Sequence, residues 1–259
     1  MKYPNDYRAF LKANAWKDVL AKGHVTDQRK GIPIPPPQKP YPEDAVLTDL
    51  PAPGEPGIGD MTVREAIGQR RSRRGYTGEP LTLEELSFLL WATQGVRKVA
   101  DVPTGQITFR TVPSGGARHE FETYLIVNRI DGVPPGLYRY LPMEHKLLFV
   151  RADERLPERI GTACCGQEFV GEGAVVFIWA AIPYRMEWRY SIVAHKVIAI
   201  DAGHVCQNLY IAAESIGAGT CAIGAYHQDE VDALVGLDGE EEFTVYLAPV
   251  GRVEAGAQE

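Results

Sequence analysis

Residues 70–74 read Arg-Arg-Ser-Arg-Arg and follow directly on a predicted helix. Four guanidinium groups within five residues exceed what a helix C-terminus needs, since complementing that negative end is worth roughly 0.3–1 kcal/mol. Arginine binds phosphate oxygens in pairs, and a serine hydroxyl adds a short donor among them. The segment therefore predicts a binding site for a small phosphorylated ligand, with a solvated basic helix end as the alternative.

Two later segments suit the same site. Residues 113–118 read Pro-Ser-Gly-Gly-Ala-Arg, and consecutive glycines let backbone N–H groups approach a ligand closely. Gly251 and Arg252 close the last predicted strand. Taken singly, these segments are typical of an ordinary turn and a surface arginine. The combination of all three favours one phosphorylated cofactor.

Composition limits the classes of function. The 259-residue chain is 45% hydrophobic and has a net charge of −7, which argues against general nucleic-acid binding, because duplex binders rely on broad positive surface. Its four cysteines show neither a C-x-x-C pair nor zinc spacing, so we expect reduced thiols and no metal site. The longest apolar run, residues 174–182, is too short to cross a bilayer, and residues 1–22 lack the apolar core of a signal peptide. These features predict a cytoplasmic protein without a membrane partner.

The chain divides into an N-terminal part, residues 1–59, and a regular domain, residues 60–259. Residues 1–22 have the pattern of a short amphipathic helix. Nine of the 19 prolines lie between Pro33 and Pro56, which excludes helix and favours an extended arm. The arm is either a surface linker or a segment that packs along its own domain or a partner subunit.

Within the domain, cap signals and periodicity predict an α+β architecture. Thr62 with Glu65 and Thr82 with Glu85 form capping-box patterns. The predicted helices cover residues 63–70, 83–95, 201–216 and 229–235. The predicted strands cover residues 123–128, 136–140, 147–151, 174–181 and 244–251. The pattern G-x-G-x-x-A at 217–222 ends a helix instead of opening one, which excludes a Rossmann site.

The ordered set of motifs resembles the flavin-dependent nitroreductase superfamily, and within it the SagB-type branch related to thiazole/oxazole dehydrogenases. The motifs are R-R-S-R-R at 70–74, P-S-G-G-A-R at 113–118, D-A-G-H-x-x-Q-N-L-Y at 201–210, C-x-I-G-A-Y at 221–226 and V-G-R at 250–252. The resemblance covers residues 60–252. It implies a nitroreductase fold, with a mostly antiparallel central sheet flanked by helices and a homodimer that forms the site at its interface.

The resemblance also implies FMN as cofactor and assigns its contacts. The phosphate and ribityl chain would be held by Arg70, Arg71, Ser72, Arg74 and Arg252. The partner subunit would line the flavin with Pro113, Ser114 and Gly115. The isoalloxazine ring would lie beside Ile223, Gly224 and Ala225, with a backbone N–H of that loop facing flavin N5.

The candidate catalytic residues are Arg189 and Tyr190. Heterocycle-oxidising relatives carry a Lys-Tyr pair at this place, to which proton abstraction is attributed. Arginine stays protonated and is a poor general base, so the substitution argues against azoline oxidation. Tyr190 can still donate a proton to a reduced substrate, with aromatic packing under a lid as the alternative.

The expected function is two-electron hydride transfer between flavin N5 and a small electrophilic or oxidisable substrate, with NAD(P)H as co-substrate. In such enzymes the flavin supplies the hydride chemistry and the protein supplies binding and orientation. Two alternatives stay open. One is a SagB-type dehydrogenase acting on azoline heterocycles of a modified peptide, and the other is a non-catalytic flavin-binding sensor.

Overall fold

A seven-stranded sheet forms the centre of the computed structural model, which describes residues 5–21, 23–54 and 57–254. In chain order the described strands are β1 (Leu47–Asp49), β2 (Val96–Val102), β3 (Gly105–Arg110), β4 (Phe121–Val127), β5 (Gly136–Leu141), β6 (Lys146–Arg151), β7 (Val175–Ala181), β8 (Ala218–Thr220) and β9 (Phe243–Arg252). The spatial order is β1-β6-β5-β4-β7-β9-β8 with antiparallel neighbours, while β2 and β3 form a separate hairpin. The predicted α+β class with an antiparallel central sheet is confirmed.

Helices cover both faces of this sheet. In chain order the described helices are α1 (Asn5–Leu11), α2 (Trp16–Val19), α3 (Val63–Gln69), α4 (Leu83–Gln94), α5 (Leu156–Ala163), α6 (Phe169–Glu172), α7 (Tyr184–Tyr190), α8 (Ala194–Ser215) and α9 (Gln228–Val235). The predicted N-terminal helix is divided into α1 and α2, and residues 1–4 and 22 of that prediction lie outside the described residues. None of the described helices is both long and apolar enough to cross a membrane.

Strand β7 lies in the middle of the core, and all of its residues are buried. Phe177 and Trp179 point into one apolar cluster, which includes residues of α4 and α8. Val176 and Ile178 point into a second cluster, which includes residues of α5 and α9. Burial on both faces therefore explains the continuous apolar run of β7, as the sequence predicted.

The start of α8 differs from the prediction. The helix begins at Ala194, seven residues before the predicted start at Asp201, and runs for 22 residues. Ala194 and Ile198 extend the buried stripe toward the N-terminus at a spacing of four residues. The carboxylate of Asp201 does not cap the helix and instead accepts a hydrogen bond from the backbone N–H of Gly115, at 2.9 Å.

The proline-rich arm packs along its own chain. Arg139 donates to the carbonyl oxygens of Lys39 and Pro40, at 3.0 Å each, and Arg110 donates to that of Pro37 at 2.7 Å. Farther on, β1 pairs with β6 and becomes an edge strand of the sheet. The arm thus covers buried arginines whose donors would otherwise lack acceptors.

Candidate functional site

The basic segment leaves the C-terminal end of α3, and its side chains have different roles. Arg71 donates to three carbonyl oxygens at that end, those of Gly68, Gln69 and Arg70, at 2.9–3.2 Å. Arg71 therefore completes the helix terminus, which is the alternative that the sequence left open. The guanidinium of Arg70 instead lies over the ring of Tyr210, 5.3 Å from its centroid. Arg74 is exposed.

Tyr210 connects the basic segment to the loop that follows β8. Its hydroxyl lies 3.0 Å from Ser72 Oγ and accepts the backbone N–H of Ala222 at 2.8 Å. Because the phenol oxygen accepts from Ala222, its own proton is available to Ser72 Oγ. The hydroxyl proton of Ser72 is then available to an anion. Tyr210 was not predicted as a site residue, although it closes one of the motifs, because its role depends on tertiary pairing.

Within the loop after β8, the three predicted residues differ in what their backbones can do. Ile223 is buried, and its N–H donates to the carbonyl oxygen of Leu247 at 2.8 Å. Gly224 and Ala225 are exposed, and their N–H groups meet no acceptor in the described part of the chain. These two amides are therefore the donors that the loop can offer to a ligand.

Arg252 lies at the end of β9 and already has a carboxylate partner. Its Nη2 donates to both carboxylate oxygens of Glu85, at 2.6 and 2.7 Å, and its Nη1 donates to the carbonyl oxygen of Ile216 at 2.8 Å. Glu85 also caps α4. Arg252 thus joins the start of α4 to the end of α8. If it also contacts a phosphate, as predicted, the same guanidinium must serve both roles.

The segment 113–118 forms a tight turn held by α8. The N–H of Gly115 donates to Asp201, and Ser114 Oγ accepts the N–H of His119 at 3.0 Å. Positive φ angles occur at Gly116 (59°), Ala117 (55°) and His119 (48°). At Ala117 and His119, which carry side chains, this conformation strains the backbone. Burial raises the pKa of Asp201, and the Gly115 N–H opposes that shift. Pro113 is exposed at the start of the turn.

Arg189 and Tyr190 end α7 and lie against this turn. A Cβ atom placed on Gly116 would be 2.6 Å from Arg189 Nε and 2.7 Å from the Tyr190 hydroxyl oxygen. The Arg189 guanidinium lies 5.5 Å from the centroid of the Tyr190 ring, and Trp16 meets the same ring edge-on at 5.9 Å. The structure therefore brings the candidate catalytic pair together with the segment 113–118.

The predicted site residues form two separate groups in one protomer. Helix α8 contacts one group through Asp201 and the other through Tyr210. These residues are nine positions apart, which corresponds to roughly 13 Å along a helix axis at about 1.5 Å per residue. The first group contains the segment 113–118 with Arg189 and Tyr190. The second contains Arg70, Ser72, the loop 222–225 and Arg252.

Comparisons with known proteins identify the family of this chain. The family model described as "Nitroreductase family" matches residues 67–252. The "Putative nitroreductase MJ1384" of Methanocaldococcus jannaschii is 34% identical over 197 residues, covering 76% of this chain and 94% of that protein. The "Trifolitoxin-processing protein TfxB" of Rhizobium leguminosarum is 26% identical over 192 residues, covering 71% of this chain and 52% of TfxB.

Solved structures share the fold at low sequence identity. A nitroreductase-type chain from Anabaena variabilis has a TM-score of 0.68 at 23% identity, covering 90% of this chain and 45% of its own length. The microcin synthetase McbBCD complex of E. coli, solved with truncated pro-MccB17, has a TM-score of 0.60 at 19% identity, covering 80% and 79%. The NADPH:FMN oxidoreductase of Vibrio harveyi, in complex with NAD+, has a TM-score of 0.53 at 18% identity, covering 76% and 71%. This chain thus spans about half the length of TfxB and of the Anabaena chain.

Proposed function

Because this chain belongs to the nitroreductase family, we propose that it is an FMN-dependent oxidoreductase that exchanges two electrons with a small substrate, with NAD(P)H as co-substrate. When bound, the flavin supplies hydride chemistry at N5. The structural neighbour from Vibrio harveyi is an NADPH:FMN oxidoreductase, which supports this choice of cofactor and reductant. Residues 60–259 would be the FMN-binding domain and residues 1–59 an arm on it. The reduced thiols of Cys164, Cys165 and Cys206 suit a cytoplasmic setting.

The observation that carries the proposal is the double contact of Tyr210. Its hydroxyl joins Ser72, in the basic segment, to Ala222, at the start of the loop with two available amides. Tyr210 thereby connects the side chains that can donate hydrogen bonds to an anion with the loop whose backbone N–H groups can donate to a ligand. A ligand with a phosphate at one end and a hydrogen-bond acceptor on a planar ring at the other suits that donor set, and FMN is such a ligand.

The residues present fit FMN in distinct roles. Arg70, whose guanidinium has no carboxylate partner in the described residues, would bind the phosphate together with Ser72. The N–H of Gly224 or Ala225 would donate to N5, since the N–H of Ile223 is used by the sheet. Arg71 and Arg252 would support this site mainly by fixing the ends of α3, α4 and α8.

A homodimer is part of the proposal. The segment 113–115 and the loop 222–225 belong to different groups in one protomer, and in this proposal one cofactor meets the segment of one subunit and the loop of the other. Exposed apolar side chains support such a contact: Val63 is 68% exposed, Ile67 60% and Ile200 48%. α3 and α8 pack against each other, so these side chains belong to neighbouring elements.

At the substrate, the chain offers a proton donor instead of a base. Tyr190 lies at the turn 115–117 and can donate its phenol proton to a substrate that has accepted a hydride. The guanidinium of Arg189 would act as a fixed positive charge beside it.

The second candidate is a SagB-type dehydrogenase that oxidises azoline rings in a modified peptide. Its support is the similarity to TfxB, a trifolitoxin-processing protein, and the fold shared with the McbBCD microcin synthetase complex. Azoline oxidation needs a general base, and an arginine at position 189 is a poor one. We therefore rank this function second.

The test of the phosphate site is FMN affinity in Arg70→Ala and Ser72→Ala, measured by fluorescence titration of the apoprotein. A hydrogen bond to a charged group contributes about 1.5–3 kcal/mol, so each variant should bind FMN at least about tenfold more weakly. Arg155→Ala is the matched control, because Arg155 is exposed and pairs with Glu158 on α5. Unchanged FMN affinity in both site variants would overturn the assignment.

A further inference from the structure

Two arginines meet at Gly116. Arg118 Nε donates to the carbonyl oxygen of Gly116 at 3.1 Å, and its guanidinium lies over the Trp188 ring, 5.2 Å from the centroid. Arg189 lies against the same glycine from the end of α7, stacked on Tyr190. Both side chains are therefore fixed by aromatic rings and by one backbone turn.

Neither guanidinium has a carboxylate partner within residues 5–21, 23–54 and 57–254. Other enclosed arginines have a carboxylate or carbonyl acceptor for their outer N–H groups. Arg185 pairs with Glu122 at 2.6 Å and Arg252 with Glu85 at 2.6 Å. Arg110 and Arg139, which also lack a carboxylate partner among the described residues, donate to carbonyl oxygens of the proline-rich arm instead. The difference is notable in a protein whose net charge is −7. The one carboxylate that the described residues hydrogen-bond to this turn, that of Asp201, accepts from the backbone N–H of Gly115 and pairs with neither arginine.

The missing counter-charge is costly. Arg118 is only 7% exposed, and burial lowers its pKa, with the nearby charge of Arg189 as the second cause. A cation over an aromatic ring gains about 0.5–2 kcal/mol, which offsets part of the burial cost but supplies no acceptor for the outer N–H groups. The geometry thus favours an anion that comes from outside the chain.

We propose that Arg118 and Arg189 form the binding site for the carboxylate of an anionic substrate, which then presents its reactive group beside Tyr190. A guanidinium held flat on an aromatic ring offers its N–H groups along one edge, and a planar carboxylate matches that edge with two parallel hydrogen bonds. The proposal rests on the proposed function and names its substrate class: planar, apolar molecules that carry a carboxylate. Arg189 is then a substrate-binding residue in place of a base.

The experiment uses unreactive probes on the FMN-loaded protein. Benzoate and its neutral counterpart benzamide are titrated by calorimetry into wild type, Arg189→Gln, Arg189→Lys and Arg155→Gln. Charged hydrogen bonds contribute about 1.5–3 kcal/mol, so wild type should prefer benzoate at least about tenfold. Arg189→Gln should lose that preference while benzamide affinity stays unchanged. Arg189→Lys should keep part of it, and Arg155→Gln, which removes the same charge elsewhere, should keep all of it.

Three results would overturn the proposal: equal binding of both probes to wild type, a preference retained in Arg189→Gln, or a loss in Arg189→Gln that Arg155→Gln shows equally. Loss of FMN from Arg189→Gln would assign the pair to the cofactor phosphate and overturn it as well. A protein that takes up no FMN but still prefers benzoate would refute the proposed function and leave the anion site standing. Arg189 is half-buried, so its variants avoid the folding risk of changing Arg118.

Discussion

Gly116 is the residue against which Arg189 and Tyr190, the proposed substrate-side residues, are packed. Its φ of +59° and its missing side chain let Arg189 and Tyr190 lie directly against the turn. Any Cβ there would be 2.6 Å from Arg189 Nε, closer than real contacts allow. The absence of a side chain at Gly116 thus allows Arg189 and Tyr190 to lie where they do.

We expect Gly116→Ala to destabilise the protein more than Gly217→Ala does. Both glycines have positive φ, +59° and +69°, but a Cβ on Gly217 meets nothing within 4 Å. Left-handed backbone costs a non-glycine residue roughly 1–2 kcal/mol, so this loss is common to both variants. Gly116→Ala adds the displacement of Arg189 and Tyr190. Denaturant unfolding measures the difference, and equal losses would contradict the close approach.

Glu120 is a second residue with a measurable consequence. It is fully buried, and neither carboxylate oxygen has a hydrogen-bond partner in the described residues. Burial, followed by the charge of Asp201, raises its pKa from 4.5 to about 8. The carboxyl is therefore protonated in the folded protein at neutral pH, which removes an unpaired charge from the core.

Stability should consequently fall as the pH rises from the unfolded pKa toward the folded one. In that window the folded state holds one proton more than the unfolded state, so deprotonation favours unfolding. Glu120→Gln removes this slope, and its stability relative to wild type should rise by at least about 1 kcal/mol between pH ~5 and pH ~8.5. Chemical denaturation at both pH values is the measurement. A difference that stays constant with pH would show that Glu120 titrates normally.

At the scale of elements, α8 organises the site. Its buried stripe packs on the sheet, while Asp201 and Tyr210 each hold one group of site residues. On its outer face lie Ile200 and Gly203, three positions apart and both exposed. A small residue beside an exposed apolar one allows a helix from another subunit to approach closely.

Gly203→Leu should convert the proposed dimer to a monomer. A Cβ on Gly203 meets nothing within 4 Å in its own protomer, so the leucine should leave the subunit fold intact. Sedimentation velocity gives the oligomeric state, and circular dichroism reports the fold. Thr162→Leu is the control, because Thr162 is exposed on α5, which packs on the other face of the sheet. A dimeric Gly203→Leu variant would place the subunit contact elsewhere.

Local signals explain which elements could be predicted. The capping boxes at Thr62 and Thr82 are complete within four residues, and both helices begin where the sequence indicates. The hairpin of β2 and β3 was missed because its strands are largely exposed and carry no continuous apolar run. The start of α8 was wrong because Asp201 resembles a cap, whereas its partner is Gly115, far away in sequence.

For the candidate site, too, local sequence signals could be predicted and contacts between distant segments could not. Motif order predicted the nitroreductase family, which the family match confirms. It also predicted the residues of both groups, and their roles stay predictions. It did not predict Tyr210 as the junction between Ser72 and Ala222, nor that Glu85 already pairs with Arg252. Those contacts join segments that are distant in sequence, so composition and spacing carry no signal for them.

At the scale of the whole molecule, the fold is a scaffold that carries two groups of candidate site residues. The sheet and α8 set the separation of the two groups. In our proposal the basic segment and the loop 222–225 form the cofactor side, and the turn 113–118 forms the substrate side. The arrangement makes sense if two copies combine around a flavin, each supplying one half to either site. Bound flavin that reacts with a nicotinamide is therefore the property on which the whole account depends.

The visible absorption spectrum of freshly purified protein, recorded before and after anaerobic addition of NADPH and then NADH, tests that property most directly. We expect an oxidised flavin spectrum that bleaches with at least one of the two nucleotides and returns on exposure to oxygen. A flavin that neither nucleotide reduces would contradict the reductase proposal and favour the dehydrogenase. A colourless protein that FMN does not reconstitute would contradict the cofactor assignment itself.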